Sequence, residues 1–360
     1  MRILAVNAGS TSVKLRVVGA GGVEQSEDLG APGEGLAAEL DRFLERAGSL
    51  DAVAHRVVHG GARYREAVRI DDATRRALDE VTALAPLHNP PALAAIDACR
   101  RARPDIPAVA CFDTAFHATL PPDAYTYALP REWTEQRGVR RFGFHGLSCA
   151  WAVRRLGEML PASPRRVVVC HLGGGASVTA VADGCSVDTT MGFTPLAGLV
   201  MATRSGDVDP GVLLWMLRSG VSPAQLGDLL EHHSGLAGLS GQSGDMKSLL
   251  ACRRDGDETA AGAVAVYLHR LRSAVGAMAA AAAGIDCLVF TGGVGEGAGE
   301  IRAETCGQLG WLGVALDRRA NEAAGADDTV ISPPGAAVTT VIVHAREELQ
   351  MASEARHLLD

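Results

Sequence analysis

The stretch VVVCHLGGGASVTAVADG, Val167 to Gly184, decides the fold, because the opening of the chain nearly repeats it as ILAVNAGSTSVKLRVV, Ile3 to Val18. Each is an apolar run, a turn of small residues built on G-x-x-S-V, and a second run rich in β-branched residues. Gly9, Ser12 and Val13 of the first correspond to Gly174, Ser177 and Val178 of the second. Apolar runs bounded by glycine read as strands, and two joined by a short turn read as a hairpin. One hairpin at the head of each half makes internal duplication the simplest account.

Outward from the hairpins, helices and strands alternate, which favours α/β layers. GLAAELDRFLERAG has helical spacing with Gly48 near its end, DDATRRALDEVTALAP opens on an Asp/Thr cap and stops before Pro86, and NPPALAAIDACRRARP starts on prolines. LDAVAHRVVHGG and IPAVACFDTAF read as buried strands, and GAGGVEQSEDLGAPGEG reads as loop. In the second half CLVF feeds the glycine-rich TGGVGEGAG, and AVTTVIVHAREELQMASEARHLL yields a last strand and a last helix.

The 360 residues suffice for two domains. A net charge of −8 argues against a general nucleic-acid binder but not against a phosphate ligand, which local cations and backbone N–H groups hold whatever the total charge. Eight scattered cysteines without a C-x-x-C pair read as reduced thiols of a cytoplasmic protein. The alanine-rich SAVGAMAAAAAGI is interrupted by Asp286 before it reaches membrane-spanning length, so no membrane partner is expected.

Small-residue turns after buried strands let several N–H groups approach an anion. Two such turns, with a third at Gly292-Gly293-Val294-Gly295-Glu296-Gly297, point to a nucleotide, although a ligand-free tight turn is the plain reading of any one alone. None is a P-loop and none has the strand–helix form of a dinucleotide fingerprint.

Ten strings resemble, in order, the motifs of the acetate kinase family: NAGSTSVKL, HRVVHGG, LAPLHNPPAL, FDTAFH, RRFGFHG, CHLGGGASV, DTTMGFTPL, TRSGDVDPG, FTGGVGEG and EELQMA. The resemblance implies two duplicated α/β domains of the actin-like, ribonuclease H-like superfold with a nucleotide cleft between them. It implies an N-terminal acyl-substrate domain of residues 1–148 plus the C-terminal helix 348–360, and a nucleotide-binding domain of residues 149–347. The implied reaction is reversible, direct in-line phosphoryl transfer from ATP to acetate, giving ADP and acetyl phosphate, in a homodimer.

Period two puts Arg56 and Val58 on one strand face, where a guanidinium fork beside a methyl-bearing side chain suits a short carboxylate. An arginine meeting a structural acid is the rival reading. The resemblance implies the substrate role, with Leu87, Phe144 and Pro195 completing a small apolar pocket. It makes Arg204 the second cation on the migrating phosphoryl group and His145 a stabiliser of the transition state. It makes Asp113 a catalytic residue that holds an arginine in position or handles a proton, with positioning favoured because the substrate acid is already ionised. His88 is a further candidate. Nucleotide contacts fall to Ser10, Ser12 and Lys14, to His171, Leu172, Gly173, Gly174 and Gly175, to Asp245, Met246 and Lys247, and to Gly293, Val294, Gly295, Glu296 and Gly297. Asn7 and Glu347 match the positions that hold Mg²⁺, with Mn²⁺ as the alternative metal.

Four departures from the family pattern bear on the nucleotide side and on length. Gly174 and Gly297 stand where the family has asparagine, and Lys247 where it commonly has arginine. The segment between Lys14 and Arg56 is shorter by roughly thirty residues, a difference that loops absorb. Propionate or butyrate kinase, a kinase with another phosphoryl donor such as pyrophosphate, and a non-catalytic nucleotide sensor are the alternatives.

Overall fold

Side-chain parity along β1 (Ile3–Ala8) places a sheet at the centre of the first unit. Leu4 and Val6 join an apolar cluster with Leu40, Phe43 and Leu44 of the helix Leu36–Ala47 and Ala95, Ala98 and Cys99 of the helix Asn89–Ala102. Ile3 and Ala5 point the other way, into a cluster with Met351, Ala352 and Ala355 of the helix Glu347–Leu359. A strand covered on both faces is apolar throughout instead of alternating.

The computed structural model describes residues 1–9, 12–30, 33, 35–86 and 88–360. These form two units, one of Met1–Ala118, Phe144–Trp151 and Arg346–Asp360, the other of Thr119–Gly143 and Ala152–Ala345. Residues 119–143, expected in the N-terminal domain, belong to the second unit. Long-range hydrogen bonds hold them there: Thr119 Oγ1 donates to the Ser186 carbonyl at 2.8 Å, and Arg141 Nη1 donates to the carbonyls of Thr189, Thr190 and Met191 at 2.7, 3.1 and 3.2 Å.

The first unit adds β2 (Val13–Gly19), β3 (Gly22–Leu29), β4 (Ala52–Val57), β5 (Val68–Arg69) and β6 (Ala108–Phe112), in the order β3-β2-β1-β4-β6-β5. The second contains β7 (Arg166–Leu172), β8 (Ala176–Ala182), β9 (Cys185–Thr189), β10 (Cys287–Thr291), β11 (Thr329–Val330) and β12 (Thr339–Ile342), in the order β9-β8-β7-β10-β12-β11. Position by position the orders are the same. In both, the first three strands pair antiparallel, the next two join in parallel, and the two-residue strand closes the edge antiparallel. The duplication read from the two hairpins therefore extends over whole sheets.

Three sequence readings are corrected. Gly22–Leu29 is a strand and not loop; as the sheet edge it pairs on one side only, so its mostly exposed polar side chains carry no apolar signature. The third glycine run is the helix Gly292–Gly297, starting directly after β10, and so does have a strand–helix form. The two hairpin turns also differ: Ala8 faces Val13 across the first, whereas Leu172 faces Ala176 across the second. Ser12 lies in its turn, its carbonyl accepting from Gly9 N–H at 2.9 Å, but Ser177 lies inside β8 opposite His171. The second turn is one residue shorter than the first.

β4 also buries His55, which is 1% exposed with no hydrogen-bond partner at either ring nitrogen. Burial pushes its pKa down to about 3, against a weaker upward pull from Asp97, and burial likewise lowers His117 to about 4. The unfolded imidazole binds a proton below its ordinary value near 6.5 while the folded one stays neutral. Stability is therefore fully present above about pH 6.5 and falls as pH drops from there towards 3. We predict that His55 alone costs the first unit about 2 kcal/mol between pH 7.5 and pH 5. Urea midpoints of the wild type and of His55→Leu at the two pH values check this; equal acid sensitivity in both would refute it.

Candidate functional site

The carboxyl ends of β1, β4 and β6 and the start of the helix Glu347–Leu359 meet in the first unit around Arg56. Its Nε and Nη2 donate to the two oxygens of Asp113 at 3.0 and 2.5 Å, and its Nη1 donates to Asn7 Oδ1 at 3.1 Å. Asn7 Nδ2 donates to Glu347 Oε2 at 3.2 Å, an oxygen that stands 3.6 Å from Arg56 Nε. Burial works to lower the Arg56 pKa, but the charges of Asp113 and Glu347 and the bond to Asp113 outweigh it and raise it. The fork is thus charged and held at a fixed angle by a carboxylate that is 1% exposed. Lys14, exposed, faces Asn7 across the hairpin.

One guanidinium against two carboxylates leaves a negative charge in excess, and the donors are all oxygens. That set suits a hard cation keeping most of its water. Among the described residues no group of three or more His, Cys, Asp or Glu side chains could hold a metal, so a cation here would have few protein ligands. Asn7 Oδ1 already accepts from Arg56, which makes Glu347 the stronger of the two expected ligands.

His145 sits beside this cluster in the left-handed region, at φ 58°, unusual for a residue with a Cβ. Its neighbours impose the conformation. Gly146 N–H donates to the Asp113 carbonyl at 2.9 Å, and a Cβ on Gly146 would lie 2.2 Å from that oxygen. His117 Nε2 stands 2.9 Å from the Phe144 carbonyl, and the Phe144 ring, fully buried, packs edge-on against His59 at 5.3 Å. Asp113 therefore fixes Arg56 with its side chain and the His145 turn with its backbone. Val58 follows directly on β4, partly buried. His88 is the N-cap residue of the helix Asn89–Ala102, without a side-chain cap bond. Ser10 and Leu87 lie outside the described residues.

In the second unit the second hairpin turn and the segment leading to Asp245 meet the loop carrying Arg204, and the third glycine segment meets the hairpin. Ala202 N–H donates to the Gly174 carbonyl at 3.1 Å, tying that loop to the second hairpin turn. A Cβ on Gly292 would lie 2.7 Å from the Leu172 carbonyl, and one on Gly244, just before Asp245, 2.2 Å from the Ala202 carbonyl. Side chains are excluded where the segments touch. Elsewhere they are not: a Cβ added to Gly174, Gly293 or Gly297 would meet nothing within 4 Å, so the backbone does not require glycine there. Arg204 Nη1 donates to the Pro195 carbonyl at 3.3 Å, and burial lowers its pKa against a weaker upward pull from Glu231.

Some expected contact residues also hold the fold together. Asp245 caps the helix Met246–Arg254, accepting from Ser248 N–H and Oγ at 2.9 and 2.7 Å, and Met246 is buried in the core, leaving Lys247 exposed. The Glu296 carboxylate turns back onto the protein, accepting from Gly292 and Ala345 N–H at 2.9 and 2.8 Å. His171 and Leu172 end β7, with His171 partly exposed and Leu172 buried. Sequence reasoning missed Asn89, which exchanges hydrogen bonds with the His59 backbone at 3.2 and 3.1 Å; its place between His88 and two prolines was the available signal.

Comparison with known proteins gives one consistent result. The model of the Acetokinase family matches residues 23–353. A curated acetate kinase of Pseudarthrobacter chlorophenolicus is 43% identical, over 98% of this chain and 97% of its own. Among solved structures, Porphyromonas gingivalis acetate kinase superposes with a TM-score of 0.91 at 35% identity, covering both chains completely. A propionate kinase from Francisella tularensis superposes at 0.93 with 33% identity over 99% of this chain and all of its own.

Proposed function

The chain belongs to the acetokinase family, and from that premise we propose that it moves a phosphoryl group reversibly between ATP and acetate. The observation that carries the reading is Arg56, a charged fork held by Asp113 at 3.0 and 2.5 Å, two residues before the partly buried Val58. In the proposed reaction a carboxylate oxygen of acetate forms a bond to the γ-phosphorus, the bond to the bridging oxygen of ADP breaks, and acetyl phosphate leaves. Acetate is ionised at neutral pH, so no general base is needed.

Arg56 binds the carboxylate, and Val58, Leu87, Phe144 and Pro195 select the short acyl tail. Arg204 and His145 neutralise charge on the equatorial oxygens, where phosphoryl transfer draws most of its catalysis. Asp113 acts as a positioning residue. ATP is held by backbone N–H groups of the segments at Gly173–Gly175 and Gly293–Gly297, with Lys14, Ser10, Ser12, His171 and Lys247 supplying side chains. Mg²⁺, with Glu347 and Asn7 as its protein ligands, would supply charge neutralisation on the phosphates.

A second copy of the chain is the proposed partner. Val212, Leu214 and Trp215 of the helix Pro210–Arg218 are 44, 52 and 66% exposed, and this helix buries none of its residues, so a second copy would cover its apolar side chains. Sedimentation of the wild type and of Trp215→Glu tests this, a monomeric wild type being the refuting result. A cytoplasmic setting agrees with eight free thiols, and no helix among the described residues is long and apolar enough to cross a membrane.

The likeness to a propionate kinase supports one second reading, a longer acid, since one methylene discriminates by only about 1–3 kcal/mol. A coupled assay crossing acetate, propionate and butyrate with ATP, GTP and pyrophosphate decides. Acetate with ATP is expected to give the highest kcat/KM. Preference for pyrophosphate, or nucleotide binding without turnover of any acid, would overturn the proposal.

A further inference from the structure

The helix Gly292–Gly297 is a poor helix by composition. Its sequence is GGVGEG, and each glycine costs about 1 kcal/mol relative to alanine. Two side chains hold it from opposite ends. At the amino end Glu296 accepts from Gly292 and Ala345 N–H, and its other oxygen stands 2.9 Å from His344 Nδ1. At the carbonyl end Arg302 Nη1 donates to the carbonyls of Gly295 and Glu296 at 2.8 and 2.6 Å.

Arg302 lies in the next helix, Gly299–Cys306, and is 2% exposed. Its Nε and Nη2 donate to Asn321 Oδ1 and the Asn321 carbonyl at 2.7 and 3.1 Å, and Asn321 Nδ2 donates to the Gly299 carbonyl at 3.0 Å. These four arginine bonds all end on amide oxygens. A buried cation matched only to dipoles is expensive to desolvate, and a methionine would fill the same volume without that cost. What methionine lacks is attraction for the negative end of a helix that its own residues do not stabilise.

We infer that Arg302, braced by Asn321, is a positioning residue for nucleotide binding. It holds the carbonyl end of Gly292–Gly297 so that the open backbone at Gly293 and Gly297 stays in one conformation before ATP arrives. Glu296 serves the same purpose from the amino end, through the backbone. The inference rests on the proposed assignment of this segment to ATP.

The test uses the full chain with Arg302→Met, Arg302→Lys and Asn321→Ala. Amide hydrogen exchange of residues 292–298 without ligand is expected to speed up in Arg302→Met and to recover in part in Arg302→Lys, which keeps a cation near the two carbonyls. With substrates, Arg302→Met should raise KM for ATP about tenfold to a hundredfold while KM for acetate changes less than about twofold, a split that general loosening of the fold would not produce. Unchanged exchange at 292–298, or parallel changes in both KM values, overturns the inference. Should Arg302→Met not fold, Asn321→Ala is judged by the same two criteria. A wild type that turns over no acid with ATP sinks the functional assignment instead, and the exchange experiment still decides the positioning role.

Discussion

Arg204→Ala is expected to lower kcat by about three orders of magnitude and to leave the fold intact. Arginines that meet a migrating phosphoryl group are worth roughly 10³–10⁵ in rate, because charge builds on its equatorial oxygens while the protein has little covalent work to do. The loop stays in place without this side chain. Its backbone is tied through Ala202 N–H to Gly174 and Ser205 N–H to Leu230, at 3.1 and 3.0 Å, and Thr203 Oγ1 donates to the Glu231 carbonyl at 2.8 Å. Burial lowers the Arg204 pKa, which means the folded protein holds a partly desolvated cation, the state in which a charge acts most strongly on a reacting group. Single-turnover rates with ATP and acetate, beside thermal melts, read the outcome. A variant within tenfold of wild type, with an unchanged melt, removes Arg204 from the mechanism.

The second large effect is expected at Asp113. Asp113→Ala strips a carboxylate that is 1% exposed from a buried ion pair, which costs about 3–5 kcal/mol when one partner is left behind. It also frees Arg56 to swing towards Glu347, 3.6 Å away, and loosens the orientation on which acetate binding depends. Asp113→Asn separates the two consequences. It keeps the shape and the backbone bond to Gly146 but loses the charge-assisted fork. For Asp113→Asn we expect kcat/KM for acetate to fall about a hundredfold with a melting temperature nearer the wild type than that of Asp113→Ala. If kcat/KM for acetate stays within threefold, Arg56 does not depend on Asp113 for its orientation.

Much of this arrangement was legible in the chain. The hairpins announce themselves because β1 and β7, covered on both faces, are mostly apolar runs that end in turns of small residues. Helix ends were readable where a capping residue or a proline stands, as at Asp71 and Asn89. The edge strand Gly22–Leu29 was not, since its side chains face solvent and only its backbone is paired. Nor was the membership of residues 119–143, which depends on hydrogen bonds to residues dozens of positions away. Asp245 reads equally well as a cap or as a ligand until Ser248 is seen beneath it. Arg302 reads as an ordinary helical cation, and only three dimensions reveal that it points inward at Gly295 and Asn321.

The C-terminal helix has a consequence for biosynthesis. Met351, Ala352 and Ala355 cover the face of the first sheet that Ile3, Ala5, Ala52 and Ala54 present. The unit whose first strands leave the ribosome earliest is therefore finished last, with one side of its sheet incompletely covered until residues 347–359 emerge. Nascent chains stalled before residue 347 should display that unprotected apolar side to chaperones, and release of the last helix should withdraw it.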